Sequence, residues 1–139
     1  MAITARSLKN YQVEITSGMH TLVSDEPPAM GGDDAGMSPF DLFLAGLVSC
    51  TIITLHMYAQ RKNWPLESVE MEADIRSVES TADGVKKRSS VIDTQVIFHG
   101  GLTEEQLRRL GEISERCPVH RTLSGDIKII TTVVNPQSG

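Results

Sequence analysis

Apolar residues cluster most densely between Ser38 and Lys62, and this stretch predicts one long helix. Ser38 is a good N-cap, because its hydroxyl can accept a hydrogen bond from a first-turn amide, and Pro39 suits the first helical position, where no donor is needed. Apolar side chains then occur on nearly every side of the axis, which is typical of a central, buried helix. Cys50 lies in the middle of it. The polar residues inside the stretch, together with Asp41 near its start, argue against a membrane span.

The segment before this helix predicts β structure. Residues 11–15 alternate between apolar and polar side chains, a Ser17-Gly18 pair supplies a turn, and residues 19–24 can return as the second arm of a hairpin. Residues 3–8 predict a weaker strand before it. The stretch from 25 to 37 is rich in glycine and proline and predicts a loop, whose four acidic side chains we expect to lie in water.

The segment after the helix predicts a second hairpin, longer than the first. Residues 69–75 and 92–98 alternate between apolar and polar side chains on either side of a polar tip that contains Asp83-Gly84. A last strand is predicted at residues 127–133. We expect Asn135-Pro136 to end the ordered chain.

A capping box predicts that a second helix begins at about Glu104. The Thr103 hydroxyl and the Gln106 side chain can each satisfy a backbone N–H of the other residue. Cys117 would lie on the apolar side of this helix if the helix continued, but Pro118 favours a break or a new turn there. The predicted order is three strands, a helix, two strands, a helix and a strand, which indicates an α+β fold.

Length and composition indicate the class of protein. A chain of 139 residues is most simply one domain, residues 1–139, and it can bury a core without disulfide bonds. Two cysteines, no amino-terminal signal pattern and no lipidation motif predict a soluble, cytoplasmic protein with reduced thiols. The net charge of −5 and the scattered basic residues argue against nucleic acid as a partner.

The two cysteines, Cys50 and Cys117, leave three interpretations open. Both could be small buried apolar residues, as most free cysteines are. They could form a reactive pair, in which one thiol attacks an electrophile and the other resolves the product. A metal site is the third interpretation, because Cys117 and His120 have ligand-like spacing, although no pattern supplies further ligands.

A reactive pair needs a cation or hydrogen-bond donors near the attacking thiol, because the nucleophile is the thiolate. The candidate cations are Arg6, Arg116, His120 and Arg121. Each also has an ordinary interpretation: Arg116, for example, suits a solvated position at a helix end, where the dipole favours positive charge.

Three segments of the chain resemble the OsmC/Ohr family of osmotically inducible and organic hydroperoxide resistance proteins. They are GMSPFDLFLAGLVSC, which ends at Cys50, YAQRKNWPL, which begins at Tyr58, and RCPVHRTL, which contains Cys117. The likeness covers nearly the whole chain, and its two cysteine motifs stand in the family's order.

This resemblance implies an intertwined homodimer, in which the two central helices pack together and the amino-terminal strands pair with the other subunit. It also implies a thiol peroxidase that needs no metal, flavin or haem. Cys50 would attack an organic hydroperoxide and become a sulfenic acid, Cys117 would condense with it to a disulfide, and an external dithiol would reduce that disulfide.

The chain departs from the family pattern beside the first cysteine. Hydroperoxide resistance members carry a glutamate ten positions before it, paired with an arginine from the amino-terminal strands, whereas this chain has Phe40 there. Asp41 matches the acid of the OsmC-like branch, but an offset of nine residues turns it to the opposite side of the helix from Cys50. Asp41 would therefore serve the site across the dimer or cap the helix, and Arg6 is the candidate for the strand arginine.

Two hypotheses follow from the resemblance and its departures. In the first, the chain is a peroxidase in which Cys50 attacks, Cys117 resolves, and Arg6 and Asp41 polarise the site. In the second, it is an OsmC-like dimer without peroxidase activity that binds a small apolar ligand or a thiol compound in the same pocket. The reactivity of Cys50 near neutral pH distinguishes them.

Overall fold

The computed structural model describes residues 2–134 and has an α+β fold with two antiparallel sheets. The elements are β1 (Thr4–Ser7), β2 (Val13–Ser17), β3 (His20–Ser24), a short 3-10 helix (Pro28–Met30), α1 (Pro39–Lys62), β4 (Leu66–Ala82), β5 (Val85–Gly100), α2 (Glu104–Ser114) and α3 (Pro118–Leu123). The predicted central helix, both hairpins and the second helix are therefore all present. The predicted end of order at Asn135-Pro136 lies outside the described residues.

The first sheet consists of β1, β2 and β3 and stands apart from the rest of the chain. Its strands are antiparallel neighbours in sequence order, and β2 turns into β3 at Gly18, whose φ of 58° is a left-handed conformation that glycine adopts without strain. Among the described elements, this sheet packs closely against neither the helices nor the second hairpin. One chain therefore leaves much of this sheet uncovered.

The loop between β3 and α1 corrects the expectation that all four of its acids lie in water. Asp25 is only 2% exposed. Its Oδ1 accepts a hydrogen bond from the backbone N–H of Glu26, and its Oδ2 accepts from those of Asp33 and Ala35. These bonds, the one from Ala35 foremost, lower the pKa of the Asp25 carboxyl although burial acts in the opposite direction. The carboxylate thus ties the loop together, which a composition-based argument does not detect.

Helix α1 begins and ends as the sequence predicts. The Ser38 hydroxyl accepts from the Asp41 amide, and the Asp41 carboxylate accepts from the Ser38 amide, which completes a capping box. Asn63 ends the helix in a left-handed conformation with a φ of 56°. The core of the chain is formed by one side of α1 and one side of α2. Its buried cluster consists of Leu55, Tyr58, Leu110 and Ile113.

Only one side of α1 is buried within the chain, whereas the sequence suggests burial all round. The residues on the buried side are Leu47, Thr51, Leu55, Tyr58 and Ala59. On the other side, Phe40 is 64% exposed, Ile53 54% and Met57 64%. The sequence of α1 is therefore apolar on more sides of the helix than a single chain buries.

The length and composition of α1 alone would also suit a membrane-spanning helix. Its most apolar window of 18 residues has a mean hydropathy of 1.8. One such helix is weak evidence for a span, because core helices of soluble proteins have the same character. Within the chain, one side of helix α1 packs against β4, α2 and α3.

The prediction of a last strand at residues 127–133 is wrong for the described chain. No strand forms there in the described chain, because no other strand of the chain lies beside this segment to pair with it. Its apolar side chains are solvent-exposed: Ile129 is 85% exposed and Val133 90%. Before it, the break predicted at Pro118 begins a separate short helix, α3, with Cys117 as its N-cap.

Candidate active site

The fold brings Cys50 and Cys117 together from distant parts of the sequence. Cys50 lies in the middle of α1, and Cys117 lies at the start of α3, which packs against α1. Both are free thiols, and they lie close enough for the Cys117 thiol to influence the pKa of Cys50. Cys50 is half-buried, whereas Cys117 is 0% exposed. Part of Cys50 is therefore accessible to solvent, whereas Cys117 is not.

Cys117 is held in place by α3 and by α1. Its Sγ accepts a hydrogen bond from the backbone N–H of His120 at 3.2 Å, so that the thiol caps the first turn of α3. The Oγ1 of Thr51 lies 3.6 Å from the same sulfur and donates to the carbonyl of Leu47 at 2.9 Å. Because Thr51 is buried and directly follows Cys50 in α1, its contact with Cys117 brings the second thiol near the first.

The environment of Cys50 raises the pKa of its thiol. Burial is the main cause, and the adjacent Cys117 thiol acts in the same direction. The backbone N–H of Val119 and the hydroxyl of Thr54 lower the pKa, but they do not outweigh burial. Within one chain, Cys50 is therefore mostly protonated at neutral pH, and a further positive charge is needed to make it a good nucleophile.

Arg6 and Asp41 do not contact Cys50 within the described chain. The Nε of Arg6 donates to Oε1 of Glu14 at 2.9 Å across β1 and β2, and the Arg6 side chain is 68% exposed. Asp41 is engaged in the capping box at the start of α1. Neither is among the groups that shift the pKa of Cys50.

His120, which is both a candidate ligand and a candidate cation, contacts Cys117 through its backbone. Its ring Nδ1 lies 3.4 Å from the Oγ of Ser124, and its amide bonds to Cys117. Across the described part of the chain, no three His, Cys, Asp or Glu side chains form a group suited to a metal ion.

Two polar contacts of the cysteines are missing from the sequence-based candidates: Thr51 and Thr54. For Thr54 a signal is present in the sequence, because a hydroxyl residue four positions after a cysteine in an otherwise apolar helix faces the same side as that cysteine. For Thr51, which contacts Cys117, no such local signal exists. The backbone amide of Val119 cannot be recognised as a donor from the sequence, because its role does not depend on its side chain. It lowers the pKa of Cys50 from the first turn of the helix that Pro118 begins.

Two cavities flank the cysteine pair, and neither cysteine lines them directly. One, of about 390 Å³, lies between α1, the long hairpin and α3, and Thr51 and His120 are in its wall. The other, of about 510 Å³, extends from Thr54 towards the end of α1 and contains several basic side chains.

Comparison with known proteins identifies relatives of this arrangement. The family model for OsmC-like proteins matches residues 31–132, a range that includes both cysteines and Asp41 but not Arg6. A comparison with curated proteins gives no significant match.

Several solved structures share the fold. An OsmC-like protein from Mycoplasma pneumoniae is 23% identical, with a TM-score of 0.72 over 89% of this chain and 86% of the other. An organic hydroperoxide resistance protein OsmC from Legionella pneumophila is 24% identical, with a TM-score of 0.60 over 89% and 88%. A Vibrio cholerae protein assigned to organic hydroperoxide resistance, with captopril in one of its active sites, is 22% identical, with a TM-score of 0.61 over 90% and 84%. At these identities the likeness concerns the fold.

Proposed function

The chain belongs to the OsmC-like family, and from this premise we propose that it is a cysteine-based peroxidase that reduces organic hydroperoxides to alcohols. The observation that carries the proposal is the proximity of Cys50, which is half-buried, to Cys117, which is buried. Cysteines that only fill space in a core do not have to lie near each other. A thiol that is oxidised to a sulfenic acid needs a second thiol nearby to form a disulfide with it. The apolar side chains exposed around Cys50 favour an organic peroxide over hydrogen peroxide.

The first step is attack by the Cys50 thiolate on the terminal oxygen of the hydroperoxide. The O–O bond breaks, the terminal oxygen stays on sulfur as a sulfenic acid, and the leaving alkoxide takes up a proton to become the alcohol. The backbone N–H of Val119 and the hydroxyl of Thr54 can donate to the thiolate, since both lower the pKa of Cys50.

The second step forms the disulfide. The Cys117 sulfur attacks the sulfenic sulfur, and the oxygen leaves as water after taking up a proton. A dithiol then restores both thiols by exchange and is itself oxidised to a disulfide. Because Cys117 is 0% exposed, the incoming thiolate attacks the sulfur of Cys50, and Cys117 is the leaving group.

The proposal also includes a homodimer in the cytoplasm. The outer side of α1, the separate sheet of β1 to β3 and the segment 127–134 are apolar surfaces that a second subunit would cover. Covering the outer side of α1 would also place Cys50 in an apolar site. Arg6 of the amino-terminal sheet is then the candidate for the positive charge that Cys50 lacks within one chain.

One observation favours the second candidate function, a dimer that binds a small apolar or thiol ligand without peroxidase activity. The pKa of Cys50 is raised, and neither Arg6 nor Asp41 contributes to it within the chain. If no cation reaches the thiol in the assembled protein, Cys50 reacts slowly and its surroundings serve only for binding.

Consumption of cumene hydroperoxide by the reduced protein, with dithiothreitol as the donor, tests the proposal against this alternative. We expect rapid consumption by the wild-type protein and none above background with Cys50→Ser. Hydrogen peroxide serves as the comparison substrate, and we expect the wild-type protein to consume it more slowly than cumene hydroperoxide. Equal rates for the wild-type protein and Cys50→Ser with both peroxides would sink the peroxidase proposal.

A further inference from the structure

The proposed reaction places negative charge on the sulfur of Cys117 twice in each cycle. This sulfur attacks the sulfenic acid as a thiolate, and it leaves as a thiolate when a dithiol reopens the disulfide. Cys117 is 0% exposed, so bulk water does not solvate that charge. Because a charge in a protein interior is costly without hydrogen-bond donors, the chain itself has to supply donors at this sulfur.

Two groups from different elements contact the Sγ of Cys117 within residues 2–134. The backbone N–H of His120, in α3, donates to it at 3.2 Å, and the Oγ1 of Thr51, in α1, lies 3.6 Å from it. The amide of His120 can only donate, so it serves the thiol and the thiolate in the same way. Thr51 differs from it, because a hydroxyl can both donate and accept.

The hydroxyl of Thr51 accepts from the Cys117 thiol in the reduced protein. Its single proton is directed to the carbonyl of Leu47 at 2.9 Å, which is the shorter of its two contacts. The thiol carries a proton of its own, and the lone pairs of the Thr51 oxygen can receive it. The S–H of Cys117 thus donates to Thr51, and Thr51 donates to Leu47, so that each of these buried groups has a partner.

A turn of the Thr51 hydroxyl about its Cβ–Oγ1 bond reverses this contact. Once the thiol has lost its proton, the sulfur can only accept, and the O–H of Thr51 can turn from Leu47 to the sulfur. The carbonyl of Leu47 keeps the backbone N–H of Thr51 as a donor, because the two residues are four apart within α1. The turn therefore leaves no group unpaired and gives the thiolate a second donor beside the amide of His120.

We infer that the Thr51 hydroxyl is a catalytic group that accepts from the Cys117 thiol and donates to its thiolate. This inference rests on the proposed function, because it concerns the steps in which Cys117 forms and leaves the disulfide. In the first, the S–S bond forms as the S–O bond of Cys50 breaks, and the proton of the Cys117 thiol ends on the oxygen, which leaves as water. In the second, the S–S bond breaks, and the Cys117 thiolate accepts from Thr51 until it takes up a proton that the dithiol releases.

Reduction of a preformed disulfide tests the inference without peroxide. Diamide oxidises the two thiols to the disulfide and is itself reduced to the hydrazine; dithiothreitol then reduces the disulfide, and alkylation followed by mass spectrometry gives the time course. Thr51→Val replaces the hydroxyl by a methyl group. We expect it to slow the reduction about tenfold, the effect of losing one hydrogen bond to a charged group. Thr51→Ser keeps a hydroxyl and should react at nearly the wild-type rate.

Thr122→Val is the matched control for the loss of a helical threonine hydroxyl. The Oγ1 of Thr122 donates to the carbonyl of Pro118 at 2.9 Å, which is the same bond to the fourth residue back that Thr51 makes. Thr122 is exposed, however, and its hydroxyl does not bond to a cysteine. We expect the wild-type rate of reduction for this variant. Equal rates for Thr51→Val and the wild-type protein, equal slowing in both valine variants, or no recovery in Thr51→Ser would overturn the inference.

Trapping of the sulfenic acid measures the other step. After one equivalent of cumene hydroperoxide, we expect more labelling of Cys50 by dimedone in Thr51→Val than in the wild-type protein or in Thr51→Ser, because Cys117 resolves the sulfenic acid more slowly. Equal labelling of all three proteins would overturn the inference for this step.

The two experiments separate the failure of this inference from the failure of the proposed function. If the reduction depends on the Thr51 hydroxyl but the wild-type protein shows no Cys50-dependent consumption of cumene hydroperoxide, the peroxidase is overturned and the role of Thr51 at the disulfide stands. If peroxide is consumed but the Thr51 variants all behave like the wild-type protein, only the inference is overturned. If diamide forms no disulfide between Cys50 and Cys117, the inference and the resolving role of Cys117 are overturned together.

Discussion

Asp25 is the residue whose environment differs most from what its neighbours in sequence suggest. It lies in a loop rich in glycine, proline and acids, yet its carboxylate is buried and accepts three backbone hydrogen bonds. Gly32 belongs to the same arrangement, because a Cβ atom there would come within 1.8 Å of the carbonyl oxygen of Glu26. The loop that delivers the chain to α1 is therefore a fixed structure organised by one carboxylate.

Asp25→Asn should lower the stability of the protein, and the effect should depend on pH. The pKa of Asp25 is lower in the folded state than the ordinary value of 3.8. Its ionised form thus stabilises the fold at pH values above about 3.8, and this contribution is lost as the pH falls through the folded-state pKa. We expect a Tm several degrees below wild type at pH 7 and a difference that narrows towards pH 2. Asp34→Asn, at an exposed position of the same loop, is the control, and an equal loss of Tm there would contradict the role of Asp25.

Cys117→Ser should stop the proposed catalytic cycle after its first step. Without the second thiol, the sulfenic acid on Cys50 has no resolving partner inside the protein. We expect one equivalent of cumene hydroperoxide to be consumed per subunit, followed by labelling of Cys50 with dimedone, seen as a mass increase on the peptide that contains it. A Cys117→Ser protein that remains unlabelled after peroxide, while the wild-type protein turns over, would show that Cys117 is not the resolving residue.

Helix α2 stabilises the site through its buried side, because it forms the core with α1 and leads into Cys117. Leu110 is 0% exposed in this core, whereas Leu107, on the same helix, is 38% exposed. Leu110→Ala should therefore lower the free energy of unfolding by about 3 kcal/mol, the usual cost of a cavity left by a fully buried leucine. Leu107→Ala should cost about 1 kcal/mol or less, since it leaves no enclosed cavity. Urea denaturation of both variants measures the difference, and similar losses would contradict this assignment of the core.

At the scale of the elements, the sequence predicts best where a local rule decides the structure. Ser38 and Thr103 are followed three residues later by side chains that complete capping boxes, and both helices begin there. The alternation in β4 and β5 predicts the long hairpin, because their pairing involves neighbouring segments. Residues 127–133 have an equally good strand pattern but no strand beside them in this chain, so local pattern alone is not sufficient. The proximity of Cys50 to Cys117 depends on the packing of α3 on α1, and only the resemblance to a family suggests it from the sequence.

At the scale of the whole molecule, the uncovered surfaces share one explanation. Three surfaces are left uncovered within one chain: the outer side of α1, the sheet that contains Arg6, and the segment at 127–134. Each of them exposes apolar side chains, and the sheet packs closely on no other described element. A second copy that packs on α1 and on this sheet would cover these surfaces together, as closed two-fold dimers do. In such a dimer, an arginine of one subunit can lie near the cysteine of the other. Arg6 would then lower the pKa of Cys50 in the dimer, although it does not do so within a chain.

Mixed dimers test whether Arg6 acts across the subunit interface. In a dimer of one Arg6→Gln subunit and one Cys50→Ser subunit, action across the interface leaves one site with both residues intact. We expect this mixed dimer to retain about half of the wild-type peroxidase activity, because one of two symmetric sites is complete. Subunits with two different affinity tags, co-expressed and purified through both tags, supply the mixed dimer.

The matched control places both substitutions in one subunit and pairs it with a wild-type subunit. If Arg6 acts across the interface, this dimer has no complete site: the wild-type cysteine faces the substituted arginine, and the other site has no cysteine. It should therefore be as inactive as Arg6→Gln alone, even though it contains the same residues in total as the first mixed dimer. Action within one subunit predicts the opposite pattern, with an active control and an inactive first dimer. The two dimers together thus decide which chain supplies the charge at Cys50.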